Sequence, residues 1–304
     1  VKEPDVLLTL VIPMFNASNT VERTLRSLER LSPESRARVQ IVTVDDGSTD
    51  DSTGLVREFF GRADFPHHRH VEKPNGGSAS ARNLGMQQAA GRYLFFLDAD
   101  DELATDLVPF LGRSSEASAL VFSAEFRRRG EPFGRHVPRR VDRTNHLDAL
   151  TAANPFVLSS IAVRRDHVDF PFDERFLSRE DWLFWMKNGR VFDRVVNHPD
   201  VTAAIIHAHG GNKSANYERA GSFREKVARA FLEENAGTLT ARQRNNLVIQ
   251  AEIGRIQQNR WPRPGVFLRF PCSMRLYAKL LAYAVLRRGL RRFDFYGSGG
   301  CSRR

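Results

Sequence analysis

The 304 residues suffice to bury a full core, and 41% hydrophobic with 27% charged residues is ordinary for a folded chain. No stretch reaches the roughly 18 to 20 apolar residues of a membrane span, the first residues lack a signal peptide's apolar core, and two cysteines, Cys272 and Cys301, argue against a disulfide scaffold and supply no thiolate zinc site. The net charge of +10 is a property of the tail, since residues 260–304 hold eleven Lys/Arg against Asp294 and the preceding 259 carry 35 of each sign.

In chain order, residues 7–12 form a short apolar run that Pro13 is expected to end, as in a buried parallel strand. Ser18 or Asn19 can cap a helix in which Val21, Leu25, Leu28 and Leu31 recur at helical spacing. A second buried strand, 39–44, closes on Asp45-Asp46-Gly47-Ser48-Thr49-Asp50, and a helix comes next through Leu55, Val56, Phe59 and Phe60. The loop 73–77 opens a helix through Ala81, Leu84 and Ala89, and a third strand, 93–97, ends at Asp98, Asp100, Asp101 and Glu102. Strand and helix alternating in this way predict an open sheet whose ligands bind at the carboxyl ends of the strands. The clusters at Asn16, Asp45/Asp46 and Asp98/Asp100 each come directly after a strand, so they should converge on one edge.

Beyond Asp106 the pattern is mixed. Strands are expected at 119–126, 157–163 and 201–208, with a polar, arginine-rich stretch between 127 and 145. Glu180 and Asp181 open a helix rich in aromatics, and helices are expected at 223–232, 241–256 and 274–286. The chain divides into residues 1–216, an α/β domain, and 217–304, a helical region with the basic tail.

Asp98 and Asp100 at i and i+2 past a strand can share a hard cation such as Mg²⁺ or Mn²⁺; equally, they can cap a helix. Asp45 or Asp46 can accept from a ribose or base; equally, the segment can be a solvated turn. Asn75, Gly76, Gly77 and Arg82 suit phosphate oxygens at a helix start, or else Arg82 serves a structural ion pair. Asp181 or Glu180, beside Trp182, Phe184 and Trp185, can have a raised pKa and act as a general base, while the aromatics are mostly core. His207 and His209 alternate along a strand, so at most one enters the site, and His209 before Gly210-Gly211 is the better placed.

These pieces in this order resemble the family 2 glycosyltransferases. The resemblance rests on residues 11–16, Val44-Asp45-Asp46-Gly47-Ser48-Thr49-Asp50, 75–85, Leu97-Asp98-Ala99-Asp100-Asp101, Glu180-Asp181-Trp182 and His209-Gly210-Gly211-Asn212-Lys213-Ser214. Met14-Phe15 replaces a more usual pairing with tyrosine before Asn16. The resemblance implies a GT-A-type open mixed sheet flanked by helices, with a C-terminal helical extension. It implies an inverting transfer of sugar from a nucleoside-diphosphate sugar, more often UDP-linked, to a hydroxyl of a glycan, polymer or lipid-linked acceptor, in the context of surface polysaccharide or cell-wall synthesis.

Carried over position by position, Pro13, Phe15, Asn16, Asp45 and Asp46 form the nucleoside pocket. Asn75, Gly76, Gly77 and Arg82 face the ribose and diphosphate. Asp98, with Ala99 beside it, and Asp100 hold Mn²⁺ or Mg²⁺, with His209 as a further ligand. Asp181 is the general base, Glu180 the second choice, and Lys213 and Ser214 close over the diphosphate. The expected location is cytoplasmic, with the basic tail docking on an anionic membrane face or an anionic polymer, and a homo-oligomer is left open. A sugar nucleotidyltransferase shares the sheet and carboxylates but does not call for Glu180-Asp181 or the late His-Gly-Gly. A nucleic-acid binder would rest on the tail alone, and no nucleic-acid partner is expected.

Overall fold

The computed structural model describes residues 6–208, 217–258 and 260. Among these, nine strands form one mixed sheet. Four are parallel: β1 (Leu8–Met14), β2 (Val39–Asp45), β3 (His68–Glu72) and β4 (Tyr93–Phe96) lie in the order β3-β2-β1-β4. The sheet continues through β8 (Ile161–Arg164), β6 (Ala119–Arg128), β9 (Val195–Ala208) and β5 (Glu102–Leu103), and β7 (Glu131–His136) pairs with β6 as a hairpin. β8 runs antiparallel to both β4 and β6, while β6 and β9 are parallel to each other.

Period-two alternation sorts the side chains onto two cores. Leu8, Leu10 and Ile12 of β1, with Tyr93, Phe95 and Leu97 in and after β4, face one apolar cluster together with α1 (Val21–Ser27) and α3 (Ser52–Arg62). Val11, Leu94 and Phe96 face the other, which contains Ala79 of α4 (Ser78–Gln87), the aromatics of α7 (Glu180–Lys187), and Val227, Phe231 and Leu247 of α8 (Tyr217–Glu234) and α9 (Ala241–Gln257). Burial on both faces is why β1, β2 and β4 read as largely apolar runs, interrupted only by Thr9, Gln40 and Thr43 ahead of Asp45. The remaining helices are short: α2 (Pro33–Arg36), α5 (Val108–Arg113) and α6 (His146–Ala152). Helices α8 and α9 cross where Gly221 faces Gly254; a Cβ on Gly221 would stand 2.7 Å from the Gly254 carbonyl oxygen.

Several sequence expectations need correction. Pro13 does not end β1, which runs to Met14. It lies past the last pair with β4, at Val11 and Phe96, where the strand has a single neighbour and a missing N–H is tolerated. Neither Ser18 nor Asn19 caps α1: Thr20 precedes it without a side-chain cap, and the Ser18 N–H donates instead to Asp50. Leu158–Ser160 is a 3-10 turn, so the strand expected at 157–163 begins at Ile161. β9 starts at Val195 rather than 201. The edge strand β3 and the hairpin strand β7 have no counterpart among the sequence expectations, because their exposed, polar sequences carry no alternation to read. The helix expected at 274–286, the basic tail and the expected division at 216 fall outside the described residues.

Candidate active site

The loops after the parallel strands are stitched to one another at the carboxyl edge. Asn16 comes after β1 with a left-handed backbone (φ 48). Its N–H donates to Ser48 Oγ at 2.9 Å, and its Oδ1 accepts from the Thr49 N–H at 2.8 Å. Asp45, closing β2, accepts from the Ser48 N–H (2.9 Å) and hydroxyl (2.6 Å) through Oδ1 and from Thr53 through Oδ2. Asp46 reaches the next loop: its Oδ1 accepts from Lys73 Nζ (2.6 Å) and the Gly76 N–H (2.9 Å), and its Oδ2 from the Gly77 N–H (2.7 Å). Asn75 Nδ2 donates to the Asp46 carbonyl. Gly47 is required where these loops touch, since its φ is +79 and a Cβ would lie 2.9 Å from the Asn75 nitrogen.

Both carboxylates therefore organise loops first. A carboxylate has roughly four acceptor positions, and three are filled on each, so a single position on each Oδ2 is left for a ligand N–H or hydroxyl. Phe15 stands half exposed beside them, its ring open to solvent.

The segment after β4 settles one of the open alternatives. No helix starts at Asp98 or Asp100: the chain turns, with the Asp101 N–H donating to the Asp98 carbonyl, and enters β5 at Glu102. The next helix, α5, begins at Val108, whose N–H is capped by Asp106. The helix-cap reading of Asp98 and Asp100 is thereby removed. Carboxylate oxygens of Asp98, Asp100 and Asp101 lie within 4.8 Å of one another. An all-oxygen donor set of this size fits a hard divalent cation. Burial, and then the charges of Asp100 and Asp98, push the Asp101 carboxyl well above the ordinary carboxylate range, a repulsion that a cation would relieve.

Asp101 is a member of the site that the sequence pattern does not single out, although its place as a further acidic position directly past the strand is a usable signal. It is anchored from β9, where the His207 N–H donates to Asp101 Oδ1 at 2.9 Å. The His207 ring turns to Glu102, with Nε2 2.8 Å from Oε1. Arg30 and Arg23 of the first helical segment hold the same turn: Arg30 donates to Glu102 and to the Leu103 carbonyl, and Arg23 donates to the Asp100 carbonyl at 2.7 Å. His209, Lys213 and Ser214 lie outside the described residues.

Arg82 joins the two halves of the site. From the middle of α4 its guanidinium donates to Asp98 Oδ1 and to Glu180 Oε1, each at 2.7 Å, and it packs over the Phe172 ring. Burial alone would disfavour its charge; the two carboxylates more than offset this and hold its pKa above the ordinary guanidinium value. Glu180 is buried and also accepts from Ser78 Oγ at 2.7 Å. It is thus committed to positioning Arg82 and α4, whereas Asp181 makes neither of these bonds. Asp181 is half-buried and accepts from Asn154 Nδ2 at 2.8 Å. Burial, followed by the adjacent Glu180 charge, pushes its carboxyl up to about 6. Trp182, Phe184 and Trp185 are all buried core, with Trp182 Nε1 bonded to the Leu150 carbonyl, so none offers a face to a sugar.

The family description "Glycosyl transferase family 2" matches residues 9–170. A teichoic acid poly(glycerol phosphate) polymerase of Staphylococcus epidermidis is 28% identical over 210 residues, covering 63% of this chain and 28% of that protein. For three curated relatives the alignments span only 26% to 28% of their length. Among solved structures, S. aureus TarS residues 1–349 in complex with UDP-GlcNAc aligns at a TM-score of 0.61 and 17% identity, covering 92% of this chain and 81% of that one. The mannosyltransferase PcManGT of Pyrobaculum calidifontis, in complex with GDP-Man and Mn²⁺, aligns at a TM-score of 0.58 and 15% identity, covering 96% and 90%. At these identities the structural likeness is one of fold. No helix of the described residues is long and apolar enough to cross a membrane.

Proposed function

The chain belongs to glycosyl transferase family 2, and from that premise we propose that it transfers a sugar, with inversion, from a nucleoside-diphosphate sugar to an acceptor hydroxyl of a glycan, polymer or lipid-linked chain. The observation that carries this reading is the Arg82 bridge. It ties the three-carboxylate turn at Asp98, Asp100 and Asp101 to the first residues of α7, where Asp181 sits. Nucleophile activation and leaving-group stabilisation therefore share one edge of the sheet.

In this reading Phe15, Pro13 and Asn16 line the nucleoside end, and the open Oδ2 positions of Asp45 and Asp46 accept from the base or ribose. The Asn75–Gly77 loop and Ser78 border the diphosphate. Asp98, Asp100 and Asp101 hold Mn²⁺ or Mg²⁺, which when bound supplies positive charge to the leaving diphosphate. Asp181 takes the proton from the acceptor hydroxyl as that oxygen bonds to the anomeric carbon. The bond from the anomeric carbon to the diphosphate oxygen breaks on the opposite face, and the nucleoside diphosphate departs. Arg82 and Glu180 do not react; they hold Asp98 and α7 in register.

A UDP-linked donor and a cell-wall or surface polymer as product are the finer parts of the proposal. They are supported by the relatives named above, among them a structure in complex with UDP-GlcNAc and a teichoic acid polymerase. The test is a panel of nucleotide sugars incubated with the full chain plus Mn²⁺ or Mg²⁺, measuring nucleoside diphosphate release. Metal-dependent release from one donor class supports the reading. Release of pyrophosphate, or turnover undiminished in EDTA, overturns it.

A further inference from the structure

The arginines of residues 127–143 have no part in the chemistry above. This stretch holds seven arginines against Glu131 and Asp142, a net +5 within the first 259 residues, whose charges as a whole balance. It is built as the β6–β7 hairpin, with Arg129 (φ 53) and Gly130 (φ 86) at the turn, and continues as irregular chain into a turn at residues 143–145. Arg128, Arg129, Arg135, Arg139, Arg140 and Arg143 are all exposed. Arg127 is matched by Glu125, and Arg135 is spent on the Pro199 carbonyl. Arg128, Arg129 and Arg140 form no ion pair among the described residues, and Arg128 lies 4.8 Å over the ring of Phe133, which is itself 51% exposed.

The position of the hairpin matters as much as its charge. In the β6–β9 register Arg127 stands opposite His207 and Arg128 opposite Ala208. His207 is the residue whose N–H holds Asp101 of the carboxylate turn. Strand β6 of the hairpin is thus one strand spacing, about 4.8 Å, from the strand that anchors that turn, on its β8 side, between that turn and the parallel half of the sheet. An acceptor arriving at Asp181 and the carboxylate turn from the far half of the sheet would pass this surface.

We propose that the β6–β7 hairpin and the chain to Asn145 are a docking surface for a polyanionic acceptor, a sugar or polyol chain carrying phosphodiester or carboxylate groups along its length. Exposed arginines supply the charge, with a planar fork suited to phosphate and carboxylate. Phe133, stiffened by Arg128, supplies an apolar plane for the backbone between charges. A lipid surface would want a broader apolar face than Phe133 and Val137 provide. Calling the polymer an acceptor rests on the transfer reading; the binding surface does not.

Site-resolved chemistry separates the hairpin from the basic tail. The full chain is treated with phenylglyoxal, with and without long-chain inorganic polyphosphate or polygalacturonate, and arginine modification is mapped by mass spectrometry. Protection of Arg128, Arg129 and Arg140 by about fivefold or more, absent with neutral dextran, is the expected result. Protection confined to residues 260–304 overturns the proposal. In parallel, the triple variant Arg128→Gln/Arg129→Gln/Arg140→Gln should bind labelled polyphosphate about tenfold more weakly at low salt, with a log–log salt slope reduced by about 2. The corresponding triple lysine variant should retain most of the binding, and both should keep the wild-type melting temperature and the wild-type rate of donor hydrolysis without acceptor.

Unchanged polyphosphate binding in the glutamine variant sinks the proposal. So does tighter binding of the wild type to single-stranded DNA, or to vesicles of anionic lipid, that depends on the same three arginines. If no nucleotide sugar is hydrolysed by the wild type, the transfer reading fails while the protection map remains readable.

Discussion

The two halves of the sheet are built on different principles. In the parallel half, β3-β2-β1-β4, each strand ends in a loop whose polar side chains bond to the neighbouring loop: Asn16 to Ser48 and Thr49, Asp46 to Lys73, Gly76 and Gly77. In the other half, β8, β6, β9 and β5, residues are tied back to the first across much longer sequence distances, as with Glu180 to Arg82 and His207 to Asp101. The first half is an edge on which hydrogen bonds stitch neighbouring loops together. The second is a surface that only the folded chain assembles, with its hairpin arginines still exposed. On the proposed function the first half would take the donor and the second would face the acceptor.

The sharpest break in this comparison is at the seam. Replacing Asp98 or Asp100 by Ala should lower sugar transfer by about 10³-fold or more, since several kcal/mol of leaving-group stabilisation go with the metal. Metal titration followed by nucleoside diphosphate release checks it, and an Ala variant with a wild-type rate would remove the triad from the mechanism. Next is Asp181→Asn, expected to cost about 10²- to 10⁴-fold in transfer while leaving donor affinity intact.

Asp181 also fixes a pH dependence. Its carboxyl is raised to about 6, so transfer should rise as pH increases through about 6 and then level. Stability moves in the opposite sense. Between the unfolded value near 4 and about 6 the native state binds the extra proton, so this group's contribution falls as pH rises through that window. The Asp181→Asn protein, free of that buried charge, should melt higher than wild type at pH 7 to 8, as thermal unfolding will read.

Arg82→Ala comes third. It leaves the buried Glu180 without its cation and frees Asp98, and the loss of one partner of a buried pair costs about 3 kcal/mol, discounted here because Asp98 is 43% exposed. Denaturant unfolding checks the stability, and a larger loss in kcal/mol for transfer than for donor binding would mark the register between the halves. The mildest is Gly47→Ala, which forces an alanine to φ +79 against the Asn75 nitrogen, at about 1–2 kcal/mol. Confined to the donor half, it should raise the donor KM and leave the response to polyanions unchanged.

Much of the parallel half was legible because its signals are local. An apolar run of buried strand leading at once into Asp45-Asp46-Gly47 or Asp98-Ala99-Asp100 places a carboxylate at a strand end whatever the remainder of the chain does. The single-residue alternatives were not decidable at that level. Whether Asp98 and Asp100 cap a helix depends on the conformation of the next segment. That segment is a two-residue strand, β5, which exists only because β9 pairs with it. Likewise β3 and β7 are exposed edge and hairpin strands whose residues carry no alternation, so their order comes from the neighbour they pair with.

The choice between Glu180 and Asp181 lies at the same boundary. Adjacent carboxylates at a helix start are equivalent in sequence, and no spacing rule separates them. Arg82 and Ser78, about a hundred positions earlier, claim Glu180 and leave Asp181 to Asn154. The amino-acid order determined which residue types stand at the strand ends, because burial pattern and turn chemistry are short-range. Which of those groups are spent on holding the fold and which remain for chemistry was decided by tertiary contacts alone, because a hydrogen-bond partner distant in sequence leaves no periodic trace.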